Sequence, residues 1–439
     1  MSKAQGLEER IGQTTAVLGV VGLGYVGLPV ALSYAEAGFQ VLGFDIDAKK
    51  VEQLLAGHCY IRHLDPDRLV RALTAESFGA TADFSRLGEP DVVIICVPTP
   101  LDRYRQPDLS YIEATADHLA ATLRPGQLII LESTTYPGTT EEILVARLET
   151  SGLRCGEDFF VAYSPEREDP GNEDFTTTSI AKVVGGVDAV SGDLAEAFYR
   201  QAFSKVYRVS AARTAEASKL MENIFRAVNI ALVNELKMVY DRMGIDIWEV
   251  LAAAETKPFG FMRFDPGPGW GGHCIPVDPF YLSWKAREAD ITPRFIELAG
   301  ELNIEMPRYV VEKLLLALND RSKALRGSRI LILGLAYKPN VDDPRESPAF
   351  EIIHRLLELG AEISYHDPHI PVAPAMRSWD HLPPMASVPL SAEAVAAFDA
   401  VILVTHHRAV DYALVEREAR LIVDTRGVFP KDRPHVVRA

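Results

Sequence analysis

The sequence predicts an α/β chain in which two doubly wound parallel-sheet domains are joined by a helical segment holding one long helix. Three observations predict it. A short apolar run, Thr15 to Val21, leads into Gly22-Leu23-Gly24-Tyr25-Val26-Gly27 and then into a helical pattern. Strand-like and helix-like stretches alternate up to about residue 210 and again from Ser328. Between them Ala211 to Met243 contains neither Pro nor Gly, and its apolar residues recur at helical spacing. The expected domains are 1–210, 211–320 and 321–439.

In chain order, the first helix runs from Gly27 to Ala37 and closes at Gly38, and Gln40 to Phe44 forms the second strand, ending at Asp45. Further strands are expected at Val92–Val97, Leu128–Glu132 and Phe159–Tyr163, with helices at Ser110–Leu123 and Thr139–Thr150. After the long helix a shorter one spans Asp246–Ala254 with Asp246 as its N-cap. A glycine-rich loop follows, then more helix through Leu318. The second α/β stretch is read as strand Arg329–Leu333, helix Ala349–Leu359 closed by Gly360, and strands Glu362–Tyr365, Ala400–Val404 and Leu421–Val423. Pro368 to Pro389 is a surface excursion. The similar texture of the two ends is not by itself a sign of duplication.

Composition excludes several classes of function. The chain has 45 Lys and Arg against 61 Asp and Glu, a formal charge of -16, which repels nucleic acid and anionic lipid over most of the surface. Anionic ligands would therefore need basic groups and helix N-termini concentrated where they bind. No apolar run is long enough to span a bilayer, and Met1 to Thr15 lacks an apolar leader core, so the cytosol is the expected compartment. The four cysteines are widely spaced without a C-x-x-C, which argues against a disulfide framework, and no His/Cys/Asp cluster has metal-ligand spacing.

Gly22-x-Gly24-x-x-Gly27 lies between a predicted strand and a predicted helix, the context that makes this pattern a dinucleotide fingerprint. Gly22 permits the tight turn, Gly24 lets a pyrophosphate approach the backbone, and Gly27 lets the helix pack close to the sheet. Asp45 follows at the end of the second strand, where a carboxylate contacts the ribose 2′-hydroxyl and repels a 2′-phosphate. NAD is thus expected over NADP. The loops Val97-Pro98-Thr99-Pro100 and Glu132-Ser133-Thr134-Thr135 follow predicted strands, where ligand crevices form. Their hydroxyls could hold ribose, nicotinamide or substrate, or serve as ordinary turn caps.

Cys274 sits in Pro266-Gly-Pro-Gly-Trp-Gly-Gly-His-Cys-Ile-Pro-Val-Asp-Pro279. A thiol beside a nicotinamide can trap an aldehyde as a thiohemiacetal, which loses a second hydride to become a thioester. The pairing suggests oxidation of an alcohol to an acid by one protein. Position alone does not make a cysteine reactive, and buried structural cysteines are common. A protease pairing with His273 is disfavoured because triad partners are distant in sequence. Asp278 and Lys219 are charges in apolar surroundings; the ordinary readings are a turn residue and a solvent-reaching lysine.

With these residues in view, the chain resembles the nucleotide-sugar 6-dehydrogenases of the UDP-glucose and GDP-mannose dehydrogenase superfamily. The carriers are Gly22–Gly27, Glu132-Ser-Thr-Thr-Tyr-Pro-Gly138, Ser164-Pro-Glu166, Ala215-Glu-Ala-Ser-Lys219 through Asn223, Gly271-Gly-His-Cys274 with Asp278, and Gly334-Leu-Ala-Tyr-Lys338 through Ser347. They span nearly the whole chain. The run Gly-Gly-His-Cys-Ile-Pro-Val-Asp-Pro looks most like the UDP-N-acetylglucosamine 6-dehydrogenases.

The resemblance implies an N-terminal Rossmann-like NAD domain, a central helical dimerisation segment and a Rossmann-like C-terminal domain that helps hold a UDP-sugar. It implies Cys274 as nucleophile, Lys219 and Asn223 as oxyanion stabilisers, and Asp278 as the carboxylate beside the thiol. Thr134 and Glu166 would stand near the reacting carbon and its water. Cofactor contacts would come from Gly22, Gly24, Tyr25, Val26, Gly27, Asp45, Thr99, Thr134 and Arg345. Sugar-nucleotide contacts would come from Glu166, Lys219, Asn223, Arg263, Gly271 and Lys338. UDP-glucose members commonly carry a lysine where Val277 stands, and a further glutamate to which Glu168 is not matched.

The expected reaction is four-electron oxidation of the C6 alcohol of a UDP-hexose, UDP-N-acetylglucosamine first, in a homodimer without metal. UDP-glucose, UDP-N-acetylgalactosamine and UDP-N-acetylmannosamine are alternative substrates. A single-step 3-hydroxyacid or 6-phosphogluconate-type dehydrogenase would need neither a nucleophilic thiol nor a second α/β domain. A catalytically silent NAD-binding scaffold in polysaccharide assembly would have no need of Lys219, Cys274 and Asp278 together.

Overall fold

The structure, a computed structural model, describes residues 2–61, 64–102, 105–167, 179–272, 275–376 and 379–439. The chain divides into two compact units: Met1–Glu222 with Trp284–Asp290, and Asn223–Ser283 with Ile291–Ala439.

The first unit begins with α1 (Lys3–Gly12), which Ser2 and Gln5 open with a reciprocal capping box. Then come β1 (Val17–Val21), α2 (Gly27–Glu36), β2 (Gln40–Phe44), α3 (Ala48–Leu55), α4 (Pro66–Thr74), β3 (Phe78–Thr81) and β4 (Val92–Ile95). After these stand α5 (Ser110–Thr122), β5 (Leu128–Leu131), a π-helical turn Thr140–Val145 running into α6 (Ala146–Leu148), β6 (Phe160–Tyr163), β7 (Lys182–Gly186), α7 (Ala189–Tyr199) and β8 (Val206–Arg208). The eight strands lie in the order β3-β2-β1-β4-β5-β6-β7-β8. The order in which strands are added reverses between β1 and β4, which run parallel; this is the switch point at which doubly wound sheets bind ligands. The strands β4 (Val-Val-Ile-Ile) and β5 (Leu-Ile-Ile-Leu) are buried throughout, as expected when helices cover both faces.

Two features depart from the sequence expectation. The pair β6–β7 is antiparallel in an otherwise parallel sheet. Apolar patterning of a buried strand is the same in either direction, so the sequence does not announce this reversal. The segment expected as an α-helix over Thr139–Thr150 opens instead as a π turn and ends in a 3-10 turn, Glu149–Ser151. Both use wider or tighter hydrogen-bond spacing than apolar periodicity can distinguish.

The long helix α8 (Ala212–Arg242) matches expectation and stops at Gly244, whose φ of 75° suits glycine. In α9 (Ile247–Glu255), Asp246 caps the amino end by accepting from the Trp248 amide. Helices α10 (Asp278–Ala286) and α11 (Arg294–Asn319) follow. The second sheet is built from β9 (Arg329–Leu333), α12 (Pro348–Glu358), β10 (Glu362–His366), α13 (Ala392–Ala397), β11 (Ala400–Leu403), α14 (Tyr412–Glu418), β12 (Ile422–Asp424) and β13 (Val436–Arg438). Its order is β10-β9-β11-β12-β13, all parallel. Among the described residues, no helix is long and apolar enough to cross a membrane.

Candidate active site

The glycine fingerprint folds as its chemistry requires. Gly22 adopts φ 90°, and a Cβ there would stand 2.5 Å from the Cys96 carbonyl oxygen. A Cβ on Gly27 would stand 1.9 Å from the Gly22 carbonyl oxygen, so any larger residue would push α2 off the turn. Gly24 faces open space, and no side chain caps the amino end of α2 at Val26. An open backbone turn at a bare helix N-terminus fits a pyrophosphate. Asp45 Oδ2 accepts from the Leu23 amide at 3.0 Å and Oδ1 from the Asp47 amide at 3.0 Å, which fixes the carboxylate against the turn. Tyr25 is partly exposed on the same turn. Tyr60, which sequence reasoning missed, donates its hydroxyl to the Leu23 carbonyl. These residues fit NAD.

The loops after β4 and β5 are stitched together. Thr99 Oγ1 donates to the Thr134 carbonyl at 2.8 Å, and Ser133 Oγ to the Val97 carbonyl at 2.8 Å. Just beyond, the fully buried Glu216 of α8 accepts from the Gly138 amide at 2.6 Å, the Thr140 amide at 2.9 Å and Thr140 Oγ1 at 2.7 Å. Burial pushes its carboxyl above the usual range despite these hydrogen bonds. Glu216 therefore ties the Thr134 loop to the helix that carries Lys219, three residues on. Sequence offered only a helical spacing of Glu216 and Lys219 as a clue.

Lys219 does not reach solvent, contrary to the ordinary reading of a lone helical lysine. It is buried, and its Nζ donates to the Glu166 carbonyl at 2.6 Å. The Glu166 carboxylate is held at both oxygens. Oε1 accepts from the Arg167 amide at 2.7 Å, and Oε2 lies 2.9 Å from Lys182 Nζ. Lys182 also pairs with Glu132 Oε1 at 3.0 Å, and Tyr199 donates its hydroxyl to the same oxygen. Burial works against the Lys182 ammonium, but the two carboxylates overcome it and hold its pKa above the ordinary lysine value. Burial likewise raises the Glu132 carboxyl. Glu132, Lys182 and Tyr199 were not among the expected site residues. A charge opening an apolar strand, Lys182, and one closing another, Glu132, were the available signals.

In the second unit, Asn223 stands one helical turn beyond Lys219 on α8. Its amide donates to Asp278 Oδ2, and its Oδ1 accepts from Arg226. Asp278 is buried at the start of α10, so it is no surface turn residue. The glycines before the expected thiol have a steric reason. A Cβ on Gly271 would meet the Glu346 carbonyl oxygen and Tyr337 Cβ, each at 2.8 Å, and one on Gly272 would meet the Tyr337 ring at 2.8 Å. The Gly272 amide donates to the Arg345 carbonyl at 3.3 Å. This loop is thereby laid against the segment carrying Tyr337, Lys338 and Arg345. The Arg345 guanidinium makes a two-pronged contact with Asp343 at 2.8 and 2.7 Å. Arg263 pairs with Glu255 and Asp265, each at 2.9 Å. His273, Cys274 and Glu168 lie outside the described residues.

The second sheet repeats the first sheet's local scheme. The Gly334 amide donates to the His366 carbonyl at 2.9 Å, as Gly22 does to Phe44 at 2.8 Å. Asp367 Oδ2 accepts from the Leu335 amide at 2.7 Å and Oδ1 from the His369 amide at 2.8 Å, matching Asp45. Here, however, buried His407 places Nε2 3.1 Å from Asp367 Oδ2 while its Nδ1 accepts from the Asn340 amide at 3.0 Å. Since Nδ1 is an acceptor, the proton sits on Nε2. Burial opposes ionisation of Asp367, but His407 and the backbone amides pull its pKa down to about 2. The carboxylate position expected to face a ribose in the first sheet is, in the second, bonded from within.

Comparison with known proteins agrees with this division of labour. The NAD binding, central and UDP binding domain models of the UDP-glucose/GDP-mannose dehydrogenase family match residues 16–203, 213–305 and 331–431. The chain belongs to this family. It is 38% identical over 390 residues to a UDP-N-acetyl-D-glucosamine 6-dehydrogenase of Pseudomonas aeruginosa, covering 88% of this chain and 90% of that one. It is 37% identical over 429 residues to an NDP-N-acetyl-D-galactosaminuronic acid dehydrogenase of Ralstonia nicotianae, covering 95% and 97%. The solved UDP-D-ManNAc dehydrogenase of Pyrococcus horikoshii superposes with a TM-score of 0.86 at 32% identity, covering 96% and 98%. Membership makes the protein an NAD-dependent nucleotide-sugar dehydrogenase with a UDP-binding domain.

Proposed function

We propose that the protein oxidises the C6 alcohol of a UDP-N-acetylhexosamine, UDP-N-acetylglucosamine in the first place, to the uronic acid. The observation that carries this reading is the burial of Lys219, Asn223 and Asp278, three polar groups a structural core would not need. When bound, NAD accepts the hydride of each oxidation, so that alcohol, two NAD+ and water give the acid anion, two NADH and three protons. Cys274 supplies the thiolate that adds to the aldehyde carbon, giving first the thiohemiacetal and then, after hydride loss, the thioester. Lys219 keeps N–H donors beyond the one given to Glu166, and Asn223 has a second amide hydrogen beyond the one given to Asp278. Both are suited to a developing oxyanion in a dry site. Asp278, or Glu166 with Thr134, takes a proton from the attacking water, and Cys274 leaves as thiolate.

Gly22, Gly24, Tyr25, Val26, Gly27, Asp45, Thr99, Thr134 and Arg345 are assigned to the cofactor. Glu166, Lys219, Asn223, Arg263, Gly271 and Lys338 are assigned to the sugar nucleotide. The functional segments are 1–210, 211–320 and 321–439, and the central one is assigned to a homodimer contact in the cytosol. UDP-N-acetylgalactosamine or UDP-N-acetylmannosamine is the second reading, supported by relatives named for those sugar classes at similar identity. A panel of UDP- and GDP-sugars with NAD, followed by reduced-nicotinamide absorbance and acid titre, tests both. Two NADH per acid are expected with the acetamido sugars. One NADH per turnover, or acid formed by Cys274→Ala, would refute the scheme.

A further inference from the structure

We infer that Lys182 is a positioning residue for Glu166, coupling it to a buried partner carboxylate, Glu132. The inference rests on the proposed role of Glu166 in thioester hydrolysis. Lys182 opens β7, and its side chain is almost wholly buried between two carboxylates, 3.0 Å from Glu132 Oε1 and 2.9 Å from Glu166 Oε2. The two acids differ in exposure. The Glu132 side chain is 0% exposed and that of Glu166 14%, so one is sealed in the core while the other is accessible in part.

The surroundings fix the cation. Lys182 Nζ lies 5.4 Å from the centre of the Tyr199 ring and 5.3 Å from that of Phe203, which close off solvent. Tyr199 donates to Glu132, and Cys96 Sγ approaches Glu132 Oε2 at 3.9 Å. On the other side, Arg167 gives its amide to Glu166 Oε1, a guanidinium bond to the Ala181 carbonyl at 2.7 Å, and a salt bridge to Glu222 at 2.7 Å. Lys219 grips the Glu166 carbonyl. Glu166 is thus held by its amide neighbour, its own carbonyl and a buried ammonium, which leaves the carboxylate little rotational freedom.

One lysine against two carboxylates leaves a formal excess of one negative charge. Burial raises the Glu132 carboxyl, which marks it as the sealed member of the pair, and Glu166 as the partly exposed member that the cation holds in place. An ionised, fixed carboxylate is what a general base requires. If Lys182 served only to neutralise the core, its removal together with one carboxylate would restore everything.

Four full-length variants separate these roles: Lys182→Met, Lys182→Arg, the charge-matched double variant Glu132→Gln/Lys182→Met, and Glu166→Gln. Steady-state acid formation, KM for NAD, melting temperature and the pH profile of kcat would be read for each. Lys182→Met should lower kcat about tenfold or more, a part of what a positioned general base contributes. KM for NAD should hold, and the acid limb of the profile should move to higher pH because the ionised carboxylate has lost its cation. Lys182→Arg should recover most of the rate. The double variant should melt like the wild type yet keep the displaced acid limb. A double variant with wild-type kcat and profile would overturn the inference by showing a purely structural lysine. A slow Glu166→Gln beside an unaffected Lys182→Met would overturn it alone. A Glu166→Gln enzyme releasing acid at the wild-type rate would remove Glu166 from the chemistry and this inference with it.

Discussion

Lys237 offers a quantitative test of how tightly α8 is packed. It lies within the second unit, is 2% exposed, and its Nζ meets no hydrogen-bond partner among the described residues. The Trp248 ring centre lies 5.9 Å away and that of Tyr309 5.3 Å away. Burial, followed by the charge of Arg426, lowers its pKa from 10.5 to about 7, against a smaller opposing pull from Asp241 and Asp424. The unfolded chain keeps this proton up to its ordinary pKa, and the folded one releases it near 7. Between those values the unfolded state binds more protons, so stability rises with pH. At about 1.4 kcal/mol per unit, the cost of the buried charge is about 4 kcal/mol at pH 7 and about 2 kcal/mol at pH 9. Lys237→Met removes this cost, from which the cation–π contacts of the ammonium have already been discounted through the shifted pKa. The variant should therefore be about 4 kcal/mol more stable at pH 7 and about 2 kcal/mol more stable near pH 9, the two converging above pH 10.5. Paired urea melts across that range cancel the background slope of the rest of the chain. A variant that follows the wild-type slope, or is less stable at pH 7, would show that the ammonium is accommodated by partners the geometry does not reveal.

Glu216→Ala strands two amides and a hydroxyl, and at roughly 1–2 kcal/mol each the loss should approach 3–5 kcal/mol in urea unfolding, with Glu216→Gln milder. Activity should fall along with stability, because the same carboxylate aligns the Thr134 loop with Lys219. Asp45, fixed at the end of β2, should make fluorescence titration favour NADH over NADPH, and Asp45→Ser should narrow that gap; tighter NADPH binding by the wild type would contradict the assignment.

What the sequence made legible follows the range of the forces involved. The strands β1 and β2, the long α8 and the Asp246 cap are local patterns, and their boundaries were readable within a residue or two. The glycine turn was legible because its constraint is steric and lies within six residues. The antiparallel β7 and the π turn were not, since strand direction and hydrogen-bond spacing leave no periodic trace. The site was legible only where a motif named a residue. Lys182 and Glu132 are fifty residues apart in sequence and meet only once β5, β6 and β7 are paired. A lone charge in an apolar strand announces that a partner exists, because an unpaired one would cost too much, but not which partner. Lys219 shows the complement: helical position alone would suit solvent, the family motif placed it at the site instead, and only the fold reveals the Glu166 carbonyl as its partner.

The two sheets show how one backbone scheme can be put to two uses. In both, a glycine at positive φ ends the first strand and an acid at the end of the neighbouring strand accepts the amide of the residue after it. What differs is the next few residues. Gly24 and Gly27 leave the first turn open and let α2 begin at once, with the Asp45 carboxylate bonded to backbone amides beside it. In the second turn Ala336 stands where Gly24 does, counted from the turn glycine, and Pro339 stands where Gly27 does. No helix begins there; Asn340 instead turns its amide to His407, whose ring occupies the Asp367 carboxylate. A dinucleotide approaching this second turn would find its ribose acceptor already bonded. The C-terminal domain must then hold a sugar nucleotide by other groups; in the long connection from β9 to α12, Lys338 and Arg345 stand among Asp342, Asp343 and Glu346, and Asp343 pairs with Arg345.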